Sequence, residues 1–124
     1  MALLLDTHVL LWIGAGDARL SRPALSAIEA PDAELFVSSV TAYEYEDLRL
    51  RGRLGDPDPI GAVVDQLDAF VLPFPAEAHR LVALMPQLHR DPVDRMLIAH
   101  ALHADMTIVT AARTIPRYPV RTLW

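Results

Sequence analysis

Four carboxylates in this chain fall where a strand ends or a helix begins. Asp6 follows the apolar run Leu3-Leu4-Leu5 directly. Glu44 lies in the first turns of the helix expected after the second strand, and Asp91 and Asp94 open the helix expected before the fourth. Asp91 and Asp94 are spaced to share one helix face. Taken singly, an acid at a helix N-terminus is stabilised by about 0.3–1 kcal/mol, and Asp91-Pro92 is a good cap for the helix that follows. Asp6 reads equally well as an N-cap and as a ligand or catalytic group at a strand's carboxyl end. The set behaves differently from its members. If Asp6, Glu44 and Asp94 converge within about 5 Å, their repulsion is several kcal/mol at an intermediate dielectric. Either their pKa values rise or a cation sits between them. Oxygen donors without cysteine or a His cluster favour Mg²⁺ or Mn²⁺. Such an ion orients a phosphodiester, activates water and neutralises the leaving oxyanion. Spacing alone points to a metal-dependent phosphoryl-transfer site.

The elements that must position these acids alternate. Residues 3–5 are apolar at every position and read as a strand covered on both faces. A buried helix over 8–15 follows, ended by Gly14 or Gly16. Ser21-Arg22-Pro23 starts a second helix, which Pro31-Asp32 breaks. Residues 35–38 form the second strand. Ser39 or Thr41 opens a long helix through Arg51, closed by Gly52. Residues 55–59 form a loop, 60–69 a helix, and 70–74 a third strand that Pro73 marks as an edge or an end. Pro75 starts a helix through Met85. Asp91 caps a strong helix running to Ala104, in which Leu97, Ile98, Ala101 and Leu102 follow core spacing. Residues 106–110 are the fourth strand, and the residues after Tyr118 can add a fifth. Strands separated by helices make an α/β fold with a mainly parallel sheet of four to five strands flanked by helices.

Bulk properties narrow the class. A chain of 124 residues is one domain, residues 1–124, able to bury a core. Its 52% hydrophobic content and mean hydropathy of +0.24 exclude disorder. Without cysteine there is no disulfide framework and no thiolate chemistry. No apolar run approaches the roughly 18 residues of a membrane span, and the N-terminus lacks a positive leader region. A soluble cytoplasmic protein is expected. The net charge of −5 argues against non-specific nucleic-acid binding, so a nucleic-acid substrate should meet a local arginine rim. All eleven basic residues are Arg. Coding bias explains that more readily than phosphate recognition. Arg49, Arg51 and Arg53 read as a solvated helix end before they read as an RNA-backbone track. His100 and His103 lack a third ligand and read as structural, and Trp12 and Trp124 as core or interface residues.

Three stretches carry a resemblance. Leu4-Leu5-Asp6-Thr7-His8-Val9-Leu10-Leu11-Trp12, Val37-Ser38-Ser39-Val40-Thr41-Ala42-Tyr43-Glu44 and, above all, His89-Arg90-Asp91-Pro92-Val93-Asp94-Arg95-Met96-Leu97-Ile98-Ala99-His100-Ala101-Leu102 resemble the PIN domain. They are similar specifically to VapC-type toxins of bacterial toxin–antitoxin pairs, and the likeness continues through Thr107–Thr110 and Tyr118–Trp124. The resemblance implies a PIN-like fold and a Mg²⁺-dependent endoribonuclease, with Asp6, Glu44 and Asp94 as its catalytic, metal-holding acids. It implies that Asp91 caps its helix and supports the site through water, with Thr7 and Thr110 as hydrogen-bonding residues beside it. Structured RNA such as tRNA or rRNA is the implied substrate. A VapB-like antitoxin and a second copy of the chain, as a homodimer, are the implied partners. There are departures. The family's further acid after the fourth strand is replaced by Ala112, its Trp before the middle Glu by Tyr43, and its basic residue after Glu44 by Leu48. Asp105 precedes the fourth strand and belongs at the opposite sheet edge. The missing acid keeps two rivals open. One is a catalytically weakened PIN-like binding protein, or pseudo-toxin. The other is a small-molecule phosphohydrolase or receiver-like domain.

Overall fold

Leu3, Leu4 and Leu5 are fully buried because they lie at the centre of the molecule, covered on both sides. The computed structural model describes residues 1–124. These leucines form β1 (Ala2–Leu5), the middle strand of a five-stranded sheet. Its neighbours are β2 (Glu34–Ser38) on one side and β4 (Thr107–Val109) on the other. Beyond them, β3 (Phe70–Leu72) and β5 (Thr122–Leu123) form the edges. All four pairings are parallel, and the order is β3-β2-β1-β4-β5.

Side chains alternate across the sheet, as the pleat requires. Leu3, Leu5, Leu35, Val37 and Val109 face one core. That core receives α1 (Thr7–Ala15), α2 (Arg22–Glu29) and α4 (Ile60–Gln66), together with Tyr45 of α3 (Ser39–Leu50). Leu4 and Ile108 face the other core. There they pack against α6 (Pro92–Ala104) and against Ala78 and Met85, which flank α5 (His79–Leu84). The result is the expected α/β layer fold, a parallel sheet flanked by six helices. No helix is long and apolar enough to cross a membrane.

Local differences from the sequence reading have physical causes. Helix α1 passes through Gly14 and stops at Gly16, whose φ of 61° permits the left-handed cap. Neither Ser39 nor Thr41 caps α3. Ser38 does, because it still has the extended backbone of β2, and its Oγ accepts from the Val40 N–H at 3.3 Å. The Ser39 hydroxyl instead accepts from the Phe74 N–H, 2.9 Å away, tying α3 to the end of β3. The helix expected over 60–69 ends at Gln66, and the chain turns at Asp68 with φ 51° to enter β3. Residues 75–85 hold a 3₁₀ turn, Ala76–Ala78, followed by the short α5. Pro86 holds Met85 in an extended conformation, which stops that helix. Leu102 is only partly buried, while Leu97, Ile98 and Ala101 are core.

Candidate active site

In a parallel sheet every strand delivers its carboxyl end to the same edge, and clefts form there where the strand order reverses. Here the reversal lies between β1 and β4. Asp6 follows β1 and Thr110 follows β4, so both stand at that point. The Asp6 N–H donates to the Val109 carbonyl at 3.1 Å and continues the ladder one residue beyond the strand. The Asp6 side chain is nearly buried and uses both oxygens. Oδ1 accepts from the Thr7 N–H at 2.7 Å, making Asp6 the N-cap of α1. Oδ2 accepts from the Thr110 hydroxyl at 2.6 Å. The Thr110 Oγ1 in turn accepts from the Ala112 N–H at 3.0 Å.

Glu44 reaches the same edge from α3. Its Oε1 accepts from the Thr7 hydroxyl at 2.5 Å, so Thr7 links Asp6, through its N–H, to Glu44, through its Oγ1. Burial pushes the Glu44 carboxyl above its ordinary pKa, and the charges of Asp6 and Asp91 push it further. The Thr7 bond and His8 oppose that rise. Asp91 caps α6 as the sequence indicates, its Oδ1 accepting from the Val93 and Asp94 N–H groups at 2.9 and 3.1 Å. Asp94 lies in the first turn of α6 and is pushed up to about 6 by burial and by the charges of Asp91 and Asp6. The His89 ring touches it, with Nε2 3.3 Å from Oδ2.

Asp6 and Asp91 therefore each act on both Glu44 and Asp94. They are not drawn together as ligands. No group of three His, Cys, Asp or Glu side chains is gathered as a metal would require. Three of the four carboxylates are held by hydroxyl or backbone N–H groups, and Asp94 by an imidazole. The donor set itself fits a hard divalent cation. It is all carboxylate oxygen, and two of its members resist ionisation in a way that a neighbouring positive charge would relieve.

Other residues sort clearly. Asp105 sits at the far end of β4, paired with Arg121 at 2.9 Å. Arg49 and Arg51 pair with Glu46 and Asp47 on their own helix. His100 is buried, with Nδ1 2.9 Å from the Ser38 hydroxyl, and joins α6 to the cap of α3. Trp12 and Trp124 pack on each other at 5.6 Å. A cleft of about 550 Å³ is lined by His8, Trp12, Arg19, Tyr45 and Arg53, together with Asp17, Asp56 and Asp58, and by none of the four acids. Sequence reasoning assigned no role to His89 or to Tyr118 behind it. The place of His89 five residues before Asp94 was visible in the chain, but the contact with Tyr118 spans two loops and was not.

The PIN domain profile matches residues 3–120. The chain belongs to the PIN-domain family. Within it the likeness is to VapC proteins. Ribonuclease VapC22 of Mycobacterium tuberculosis (strain ATCC 25618 / H37Rv) is 34% identical over 115 residues, covering 90% of this chain and 88% of the relative. Solved structures share the fold at lower identity. VapBC2 from Rickettsia felis, bound to a DNA fragment from its promoter, superposes with a TM-score of 0.72 at 15% identity, over 98% of this chain and 97% of that one. Mycobacterium tuberculosis VapC20, a toxin that cleaves the sarcin–ricin loop, gives 0.63 at 16% identity, over 93% of each chain. The fold class and the VapC-type PIN resemblance expected from sequence hold.

Proposed function

We propose that this PIN-domain protein is a divalent-metal-dependent endoribonuclease, the toxin of a type II toxin–antitoxin pair. The observation that carries the reading is Asp6 at the β1–β4 switch point, held by Thr110 and linked through Thr7 to Glu44, with its charge acting on both Glu44 and Asp94. The relative named as a ribonuclease supports the same activity. Asp6, Glu44 and Asp94 would hold Mg²⁺ or Mn²⁺, which when bound supplies positive charge to offset that of the phosphodiester and its leaving oxygen.

The chain's own residues supply the rest. Thr110 and the Thr7 N–H fix both oxygens of Asp6, so that this carboxylate does not reorganise when substrate arrives. The Thr7 hydroxyl holds Glu44 from α1. Asp91 fixes the first turn of α6 and with it the backbone of Asp94. In the cleft lined by His8 and Trp12, Arg19 is paired with Asp17, and Arg53 offers a positive group to an RNA backbone within a protein of negative net charge. Structured RNA such as tRNA or rRNA is the substrate class we propose. A VapB-like antitoxin and a second copy of the chain are the proposed partners.

One observation favours a weaker enzyme. Ala112 has no carboxylate to offer, and its N–H is engaged by Thr110. The deciding experiment is cleavage of defined RNAs by purified protein with Mg²⁺ or EDTA, for wild type, Asp6→Asn and Asp94→Asn. Mg²⁺-dependent cleavage lost in both variants, with unchanged circular dichroism, supports the enzyme. Cleavage that survives both substitutions refutes the site, and a wild type that binds RNA without cutting it supports the pseudo-toxin.

A further inference from the structure

Asp94 is gripped by a chain of side chains that starts well outside the acidic cluster. Arg95 is anchored by two backbone carbonyls, donating to Pro86 at 2.8 Å and to Val82 at 3.1 Å. The same guanidinium donates to the Tyr118 hydroxyl at 3.2 Å, and the Leu88 N–H donates to that hydroxyl at 3.3 Å. Tyr118 is buried. Its oxygen has two lone pairs, and both now face donors. The remaining polar contact of the hydroxyl is with His89 Nδ1, at 2.7 Å. A phenol whose lone pairs are taken can only donate there. His89 Nδ1 is therefore the acceptor, and the ring proton sits on Nε2, which faces Asp94 Oδ2 at 3.3 Å. The rings of His89 and Tyr118 meet edge to face at 5.4 Å, which fixes the imidazole plane as well.

We infer that His89 is a positioning residue for Asp94. Its tautomer is set by Tyr118 and Arg95, and it donates an Nε2–H that pins Oδ2 and leaves Oδ1 free to face the site. The inference rests on the reading of Asp94 as a metal-holding acid. A carboxylate that must share one ion with Asp6 and Glu44 loses affinity when its rotamer is free. The neighbouring acids repel it and would otherwise drive it outward toward solvent. Partners that orient a ligand in this way typically govern 10–100-fold in metal affinity.

Two measurements test this. Long-range ¹H–¹⁵N NMR of the metal-free wild type should show His89 with its proton on Nε2, and Tyr118→Phe should release that preference into a mixture. Mn²⁺ binding, followed by electron paramagnetic resonance, should weaken about 10–100-fold in His89→Ala. His89→Gln, whose amide nitrogen reaches the place of Nε2, should stay within about threefold of wild type. At saturating Mn²⁺, His89→Ala should regain most of the wild-type cleavage rate. An Nδ1–H tautomer, or Mn²⁺ affinity in His89→Ala within twofold of wild type, overturns the inference. So does a His89→Gln variant as weak as His89→Ala. A wild type that takes up no Mn²⁺ overturns the metal reading beneath it, a result distinct from a wild type that binds and is indifferent to His89.

Discussion

Replacing Asp94 by Asn should make the metal-free protein more stable while abolishing its activity. Asp94 is pushed up from the ordinary 3.8 to about 6, first by burial and then by Asp91 and Asp6. A carboxyl whose folded pKa exceeds its unfolded value is protonated preferentially in the folded state. Its contribution to stability is present below about pH 4, declines as pH rises from about 4 to about 6, and above that leaves a constant penalty. About two pKa units correspond to a ceiling of about 3 kcal/mol. The side chain is 23% exposed and lies in the first turn of α6, where the helix dipole favours the anion, so about 1–2 kcal/mol is the working figure. For a chain of this length that is a rise in Tm of roughly 4–8 °C in Asp94→Asn. Thermal melts in EDTA from pH 4 to pH 8 would test it. The variant should lead at pH 7.5, and the lead should shrink toward pH 4. Adding Mg²⁺ at ten times its Kd should stabilise wild type by about 1.4 kcal/mol and leave the variant unmoved. A variant less stable than wild type at pH 7.5 in EDTA would refute the argument, because the carboxylate would then be a stabilising group in the empty site.

Three further outcomes follow from the same geometry. Thr110→Val removes the donor to a nearly buried carboxylate and should cost about 1.5–3 kcal/mol in urea unfolding, with cleavage reduced. Asp91→Ala should cost about 1 kcal/mol by loss of the α6 cap, whereas Asp91→Asn keeps an acceptor for Val93 and Asp94 and should unfold within about 0.5 kcal/mol of wild type. If the acid missing after β4 limits turnover, Ala112→Asp should raise both Mg²⁺ affinity and cleavage rate, read by calorimetry and by initial rates. Unchanged values would show that three acids suffice.

Much of the fold was legible because its signals are local. Three consecutive leucines announce a doubly covered strand, and Asp91-Pro92 announces a helix start whatever lies elsewhere. Boundaries were less legible where two local signals compete. Ser38, Ser39 and Thr41 can each cap a helix, and the choice fell to the residue still carrying the backbone of β2, a fact of sheet pairing rather than of composition. The pairing of Thr7 with Glu44 across 37 positions, and of His89 with Tyr118 across 29, depends on topology and leaves no spacing to read.

Asp6 shows why residue type alone left the site undecided. A cap and a functional group looked like alternatives because each was assigned the whole side chain. A carboxylate has two oxygens and about four lone pairs. One oxygen caps α1 through the Thr7 N–H while the other is held by Thr110 across the switch point. Capping is thus the means by which the acid is held rigid, and it leaves lone pairs on each oxygen. The same economy operates at Asp91, which caps α6 and lends its charge to Glu44 and Asp94. Helix starts at the carboxyl edge of a parallel sheet therefore assemble negative charge as a by-product of ordinary capping. What distinguishes this edge is that capping does not account for Glu44 or Asp94, whose carboxyls burial and neighbouring charge push above their ordinary pKa. Their presence runs against stability, and the metal-free melts of Asp94→Asn measure how far.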